Sequence, residues 1–191
     1  VWISVDAESL KATRAYEAAI TRDKIDVGFL NWDASEVIVV MEQSAKYKIP
    51  HFMAMGTSDL VDEKYHSDAM YKYWVGKGWP TPSKLTIAYV NALEEAIANG
   101  QWQVSAKRVI LYGNDEEWSR GFTKAIGAQL VDAGWEIAGE EYMPIGETDF
   151  YPVLTRMKSM DTPLIAGTMD DAAGFGAFIK QSREVGLESL I

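Results

Sequence analysis

RVILYGNDEEWSRGFTKAIGAQLVDAGWEIAGEEY, Arg108 to Tyr142, decides the fold class. It opens as an apolar run, Arg108 to Tyr112, crosses the polar Gly113 to Glu117, takes a helical period from Trp118 to Ala133, and returns to a strand pattern from Trp135 to Tyr142. Strand, helix and strand in that order form the repeating unit of a parallel sheet. The rhythm extends both ways. Val1 to Val5, Ile25 to Leu30, His51 to Met55 and Pro163 to Gly167 read as further strands, several so continuously apolar that both faces should be covered. Helices are expected over Leu10 to Arg22, Ser35 to Tyr47, Pro82 to Ala98, Pro152 to Met160 and Ala172 to Val185. In the third of these, Leu85, Tyr89, Leu93 and Ile97 recur every fourth residue on one face, and Gly100 is placed to end it. The expectation is α/β, with a doubly wound parallel sheet.

Two interruptions stand out. Gly56 to Thr81 reads as a long loop carrying Tyr65, Tyr71, Tyr73, Trp74 and Trp79, and such a segment is either functional or a connector. Gly100 to Lys107 is polar and aperiodic, which places a lobe boundary there, with residues 1–100 in the first lobe and 101–191 in the second.

Composition narrows the function. The chain has 191 residues, 48% of them apolar, enough for a core, and a formal net charge of -10. That charge repels phosphate backbones, and no basic patch interleaved with aromatics offsets it, so nucleic acid is excluded as a partner. No apolar stretch reaches the roughly 18 to 20 residues of a membrane span, and the N-terminus lacks a basic-then-apolar pattern. The expectation is a soluble chain from which any targeting segment is gone. With no cysteine and two histidines, thiolate zinc sites, disulfides and cysteine nucleophiles are ruled out, in keeping with an oxidising compartment. No metal or other cofactor is expected.

Ligands of open parallel sheets bind beyond the carboxyl ends of the strands, so the residues following each apolar run are the candidates. After the second run, Asn31-Trp32-Asp33-Ala34-Ser35-Glu36 gives Asp33 and Glu36 the spacing of a capping box, with Ser35 as a rival cap. Trp32 in a turn needs something to pack on. After the third, Met55-Gly56-Thr57-Ser58 could offer hydroxyl and amide donors to an anion, or form a plain turn. After Tyr112, the carboxylates of Asp115, Glu116 and Glu117 suit the positive end of the next helix. Thr168-Met169-Asp170-Asp171 is another cap candidate, preferred over an acid/base pair because adjacent residues seldom converge on one atom. His51 opens a strand and reads as a structural or edge histidine, and Gly174-Phe175-Gly176 as close helix packing. The hydrolase elbow, the phosphate loop, the zinc-protease helix and the dinucleotide fingerprint are all absent, so no enzyme is expected.

The runs DKIDVGFL, QSAKYKIPHF, the long segment from Ala106 to Gly167, and FIKQSREVGL, taken in order, resemble the substrate-binding proteins of branched-chain amino-acid type ABC transporters. Most specific are N-D-x-x-W-S-x-G after a strand, G-x-T-D-F before a helix, and the helix-ending K-Q-S-R-E-V-G-L. The resemblance implies a periplasmic-binding-protein clamshell of two α/β lobes, incomplete here, beginning at the second strand of the first lobe and stopping within the second. It implies a small-molecule ligand such as an amino acid or related organic acid or amide, a membrane permease as partner, and a periplasmic or lipid-anchored extracytoplasmic location. Among site residues it implies Thr57 at the family's carboxylate-binding threonine, Met55 at a backbone-carbonyl position, Trp118 at a ligand-stacking tyrosine, and Thr168 or Met169 near a second aromatic. The family's acidic ammonium ligand would fall beyond Ile191. Where the family reads Gly-Pro and a serine pair, this chain has Leu30-Asn31 and Asp33-Ala34; Trp32, Asp33 and Ser35 therefore border the site with different chemistry, and Asp33 would repel a ligand carboxylate unless it caps its helix or meets a cation. A ligand-sensing domain of a signalling or gene-regulatory protein is the alternative.

Overall fold

The computed structural model describes residues 9–30, 33–75 and 78–191. The strand expected at Val1 to Val5 and the side chain of Trp32 lie outside the described residues. The chain divides into two compact units, Val1–Pro82 and Ser83–Ile191.

In the first unit, α1 (Ser9–Thr21), β1 (Gly28–Leu30), α2 (Ala34–Tyr47), β2 (His51–Met53), α3 (Asp59–Ser67) and β3 (Trp74–Val75) follow in order, with a 3-10 turn over Ala69–Tyr73. The strands form a parallel sheet, β1-β2-β3, in which Gly28 faces His51 and His51 faces Trp74. α2 forms because Val37, Val40, Met41 and Ala45 share one buried face. It stops at Lys48, whose φ of 56° is left-handed and whose N–H bonds to the Ser44 carbonyl, with Pro50 just beyond.

The expectation of a long loop from Gly56 to Thr81 is corrected: it holds α3, the 3-10 turn and β3. α3 buries only Val61, so it shows no apolar stripe to read. Coverage on both faces, expected of several strands, is not met in this sheet among the described residues. Phe29 and Phe52 are exposed and stack on each other at 5.4 Å, while their neighbours in β1 and β2 turn inward.

His51 is buried at 1% exposure, on the middle strand of this sheet rather than an edge. Its ring lies flat on Trp74, 4.7 Å away and 6° from parallel, and its Nδ1 meets the Tyr16 hydroxyl at 2.8 Å. A Cβ on Gly28 would fall 2.5 Å from both of those polar atoms, so only glycine lets this trio assemble. Burial depresses the imidazole pKa to about 4 and pushes the Tyr16 phenol above its ordinary value.

The second unit comprises α4 (Pro82–Ala98), apart from its first residue, then β4 (Arg108–Asn114), α5 (Glu117–Asp132), β5 (Glu136–Met143), α6 (Tyr151–Ser159), β6 (Leu164–Thr168) and α7 (Ala172–Glu184). Its sheet is parallel, β5-β4-β6. β4 sits in the middle, and its alternate side chains enter two cores. Val109 and Leu111 pack with Val90, Phe122, Ile126 and Leu130. Ile110 and Tyr112 pack with Phe150, Leu154, Met157 and Phe178. The Tyr112 and Phe178 rings stack at 4.9 Å.

The sequence boundary at Gly100 to Lys107 and the structural partition after Pro82 differ by α4. This helix packs Leu85, Val90, Leu93 and Ile97 on the second unit's core. Glu94 adds polar anchors, accepting from Lys107 Nζ at 2.6 Å and from the Trp135 indole at 2.7 Å. Tyr89, expected on the apolar face, is exposed, and Val90 is buried in its place. Of the two glycines read as close packing, Gly174 fits, since a Cβ there would approach Asp171 Oδ2 at 2.7 Å; Gly176 has open space.

Candidate functional site

Each expected site residue that the structure describes stands at or just past the carboxyl end of a strand in its own unit. In the first unit, Asp33 follows β1 and caps α2: one carboxylate oxygen accepts the N–H groups of Ser35 at 2.7 Å and Glu36 at 3.1 Å. Its charge is thereby turned toward the positive helix end. Ser35, the rival cap, lies inside the first turn, and its carbonyl receives the Ser9 hydroxyl at 3.4 Å. After β2, Met55 is half-buried and Thr57 is buried, its hydroxyl donating to the Pro80 carbonyl at 3.1 Å. Ser58 caps α3 by accepting from the Val61 N–H. The short segment after β2 thus serves as both tie and cap, and it is held against the chain following β3, where a Cβ on Gly78 would fall 2.7 Å from the Ala54 carbonyl.

In the second unit the cap of α5 is Glu116, whose carboxylate accepts from Trp118 N at 2.6 Å and from Ser119 N. Asp115 serves differently. It pairs with Arg120 at 2.6 Å, and that guanidinium lies 4.1 Å over the Tyr142 ring. Trp118 is half-buried in the first turn of α5, tilted against Phe122 at 6.4 Å. Thr168 ends β6 and Met169 follows it, both half-buried, with Met169 packed on the core that holds Tyr112 and Phe178. Asp171 caps α7 through Ala173 N at 3.1 Å and also accepts from Gly146 N at 3.1 Å. The structure brings Trp118, Thr168 and Met169 to the same edge of one sheet, and Asp33, Ser35, Met55 and Thr57 to the corresponding edge of the other.

The motifs that carry the resemblance have structural work. Gln181 of the helix-ending motif accepts from Phe150 N at 2.6 Å and donates to the Thr148 carbonyl at 2.8 Å, welding G-x-T-D-F to α7. Within that loop Glu147 accepts from the N–H groups of Asp149 and Thr148, which hold its carboxyl below the usual value. Asn114, which opens the N-D-x-x-W-S-x-G motif, received no role of its own from sequence reasoning: it is fully buried and its Oδ1 accepts from Asp170 N at 2.8 Å. The available signal was an amide closing an otherwise apolar strand.

Among the described residues no group of three or more side chains could hold a metal, and no helix is long and apolar enough to cross a membrane. A groove between α5 and β5, bordered by Arg120, Lys124, Glu140 and Tyr142, contains none of the expected site residues.

Parallel strands whose carboxyl ends carry caps, hydroxyls and aromatic rings present the place where open α/β sheets take their ligands. Residues 7–190 match the family described as periplasmic binding protein, and the chain belongs to it. That family is one of binding proteins and not of enzymes. Among solved structures, the chain is similar to a leucine-binding protein from Thermotoga maritima, with 17% identity and a TM-score of 0.79 over 99% of this chain and 50% of that one. It is also similar to an ABC-transporter solute-binding protein from R. palustris in complex with 4-hydroxybenzoate, at 18% identity and a TM-score of 0.78 over 98% of this chain and 47% of that one. A third, from Rhodopseudomonas palustris BisB5 in complex with 3,4-dihydroxybenzoic acid, shares 22% identity with a TM-score of 0.74, again over 98% of this chain and 47% of the other. At these identities the likeness is one of fold, and the chain spans about half the length of these structures.

Proposed function

We propose that the protein is an extracytoplasmic solute receptor of an ABC importer, capturing a small carboxylate-bearing solute and delivering it to a membrane permease. The observation that carries this reading is family membership across residues 7–190. The site chemistry supports a carboxylate. Asp33 aims its charge at the amides of α2, which lessens its repulsion of an anion, and in the next loop the Thr57 hydroxyl proton goes to the Pro80 carbonyl, a bond that a ligand carboxylate would replace. Trp118 favours a solute with a flat or apolar body, and both an amino acid and an aromatic acid satisfy these terms. Capture by closure of two lobes requires binding groups and a hinge and no reacting group. The fold's similarity to a leucine-binding protein and to hydroxybenzoate-bound receptors puts both ligand types in the first screen.

The experiment is a thermal-shift and calorimetric screen of the full-length protein against L-leucine, other amino acids and amides, 4-hydroxybenzoate and 3,4-dihydroxybenzoate. A ligand at 100 times its Kd should stabilise the native state by about 2.7 kcal/mol. Absence of stabilisation by every member of these classes would refute the proposal.

A further inference from the structure

Asn114 combines three unfavourable features. Asparagine is poorly suited to a strand, the side chain is wholly buried, and its Nδ2 has no hydrogen-bond partner among the described residues. An orphaned buried donor destabilises the fold, whereas an apolar side chain of the same size would leave no donor unpaired. The visible return on the amide is one contact: Oδ1 accepts from the N–H of Asp170, a residue 56 positions away in sequence.

That contact lies at the site edge of the second unit. Asn114 is the last residue of β4 and directly precedes the segment that opens α5 and carries Trp118. Asp170 follows Thr168 and Met169. The strand register ends at the pair Gly113 and Thr168, so regular pairing of the two strands stops where the side-chain amide takes over. On the other flank a backbone bond, Asp115 N to the Met143 carbonyl at 2.8 Å, ties β4 to the end of β5. The β6 side has the Asn114 amide in the corresponding place.

We infer that Asn114 is a positioning residue of the ligand site, its Oδ1 holding the Thr168–Asp170 segment in register with the end of β4 and thus with Trp118. The inference rests on the solute-receptor reading for its link to affinity. Its structural half stands apart from that reading.

The test compares wild-type full-length protein with Asn114→Leu, which removes the acceptor and fills the space, and Asn114→Asp, which keeps an acceptor for Asp170 N. Three quantities are measured: backbone amide exchange at residues 168–171, thermal stability, and affinity for L-leucine and 4-hydroxybenzoate. Asn114→Leu should accelerate exchange at Asp170 and weaken binding of whichever probe the wild type takes by about tenfold, the equivalent of one hydrogen bond, with stability retained. Asn114→Asp should restore the slow exchange and the affinity. Unchanged Asp170 exchange in Asn114→Leu overturns the inference, as does faster exchange with unchanged affinity, which would make the contact purely architectural. If neither probe binds the wild type, the receptor reading with these ligands fails while Asp170 exchange still decides whether Asn114 fixes the segment. Should Asn114→Leu not fold, Asn114→Ala reads the same amide.

Discussion

Lowering the pH from about 7 to about 5 is expected to remove about 2 kcal/mol of stability from the first unit through His51 alone. The imidazole ordinarily titrates near 6.5, and burial between Tyr16 and Trp74 depresses that value to about 4 in the folded state. A depressed histidine pKa means that the unfolded chain takes up its proton first as acid is added. The contribution is therefore complete above the unfolded value and is lost as pH falls from about 6.5 toward about 4, reaching about 3 kcal/mol at the lower end. Among the described residues, the ring meets the Tyr16 hydroxyl and the Trp74 face, neither of which carries a charge to offset a buried proton. The assay is urea unfolding across this pH range for the wild type and for His51→Gln, which is neutral throughout. The carboxylates common to both proteins cancel in the difference, so the wild-type curve should fall more steeply by the stated amount. Parallel curves would refute the reasoning and show that a proton finds solvation in the stack.

Gly167→Ala should be among the most destabilising single substitutions, since its Cβ would fall 1.8 Å from the Tyr112 carbonyl oxygen in the central strand; a loss above about 4 kcal/mol in urea unfolding is expected, and a native-like midpoint would contradict the packing described. Asp33→Ala removes the acceptor of two helix-end amides and should cost about 1 kcal/mol, with Asp33→Ser recovering most of it, whereas Ser35→Ala should be nearly silent. Trp118→Ala should weaken ligand binding by about tenfold in calorimetry without unfolding the protein, and unchanged affinity would remove the ring from the site.

Local signals were legible wherever a segment answered to its own periodicity. α4 runs from Pro82 to Ala98 as read, because an apolar repeat and a terminating glycine both lie within it. The caps were equally local: Asp33 needs only the two amides that follow it. α3 escaped because a helix that buries a single valine has nothing periodic to show, and β3 because two residues make no pattern. Tyr89 misled because the residues that turn inward, Thr86, Val90, Leu93 and Ile97, follow an alternating four-and-three spacing and not a strict four-residue repeat. Asn114 was illegible for a different reason. Its partner is remote in sequence, and no local rule says which distant amide a buried carbonyl will meet. The family motifs were the most readable part of the chain, and they proved to be fasteners such as Gln181, so they announce the frame more plainly than the solute.

β4 feeds one core with Val109 and Leu111 and the other with Ile110 and Tyr112. A strand shared in this way couples the two layers: neither can detach without baring two of the same four side chains. The two layers are expected to unfold as one cooperative unit, which slow exchange of the β4 amides at the global rate would show. A binding protein with such a unit can exchange the chemistry of its loops while the frame beneath them keeps its packing.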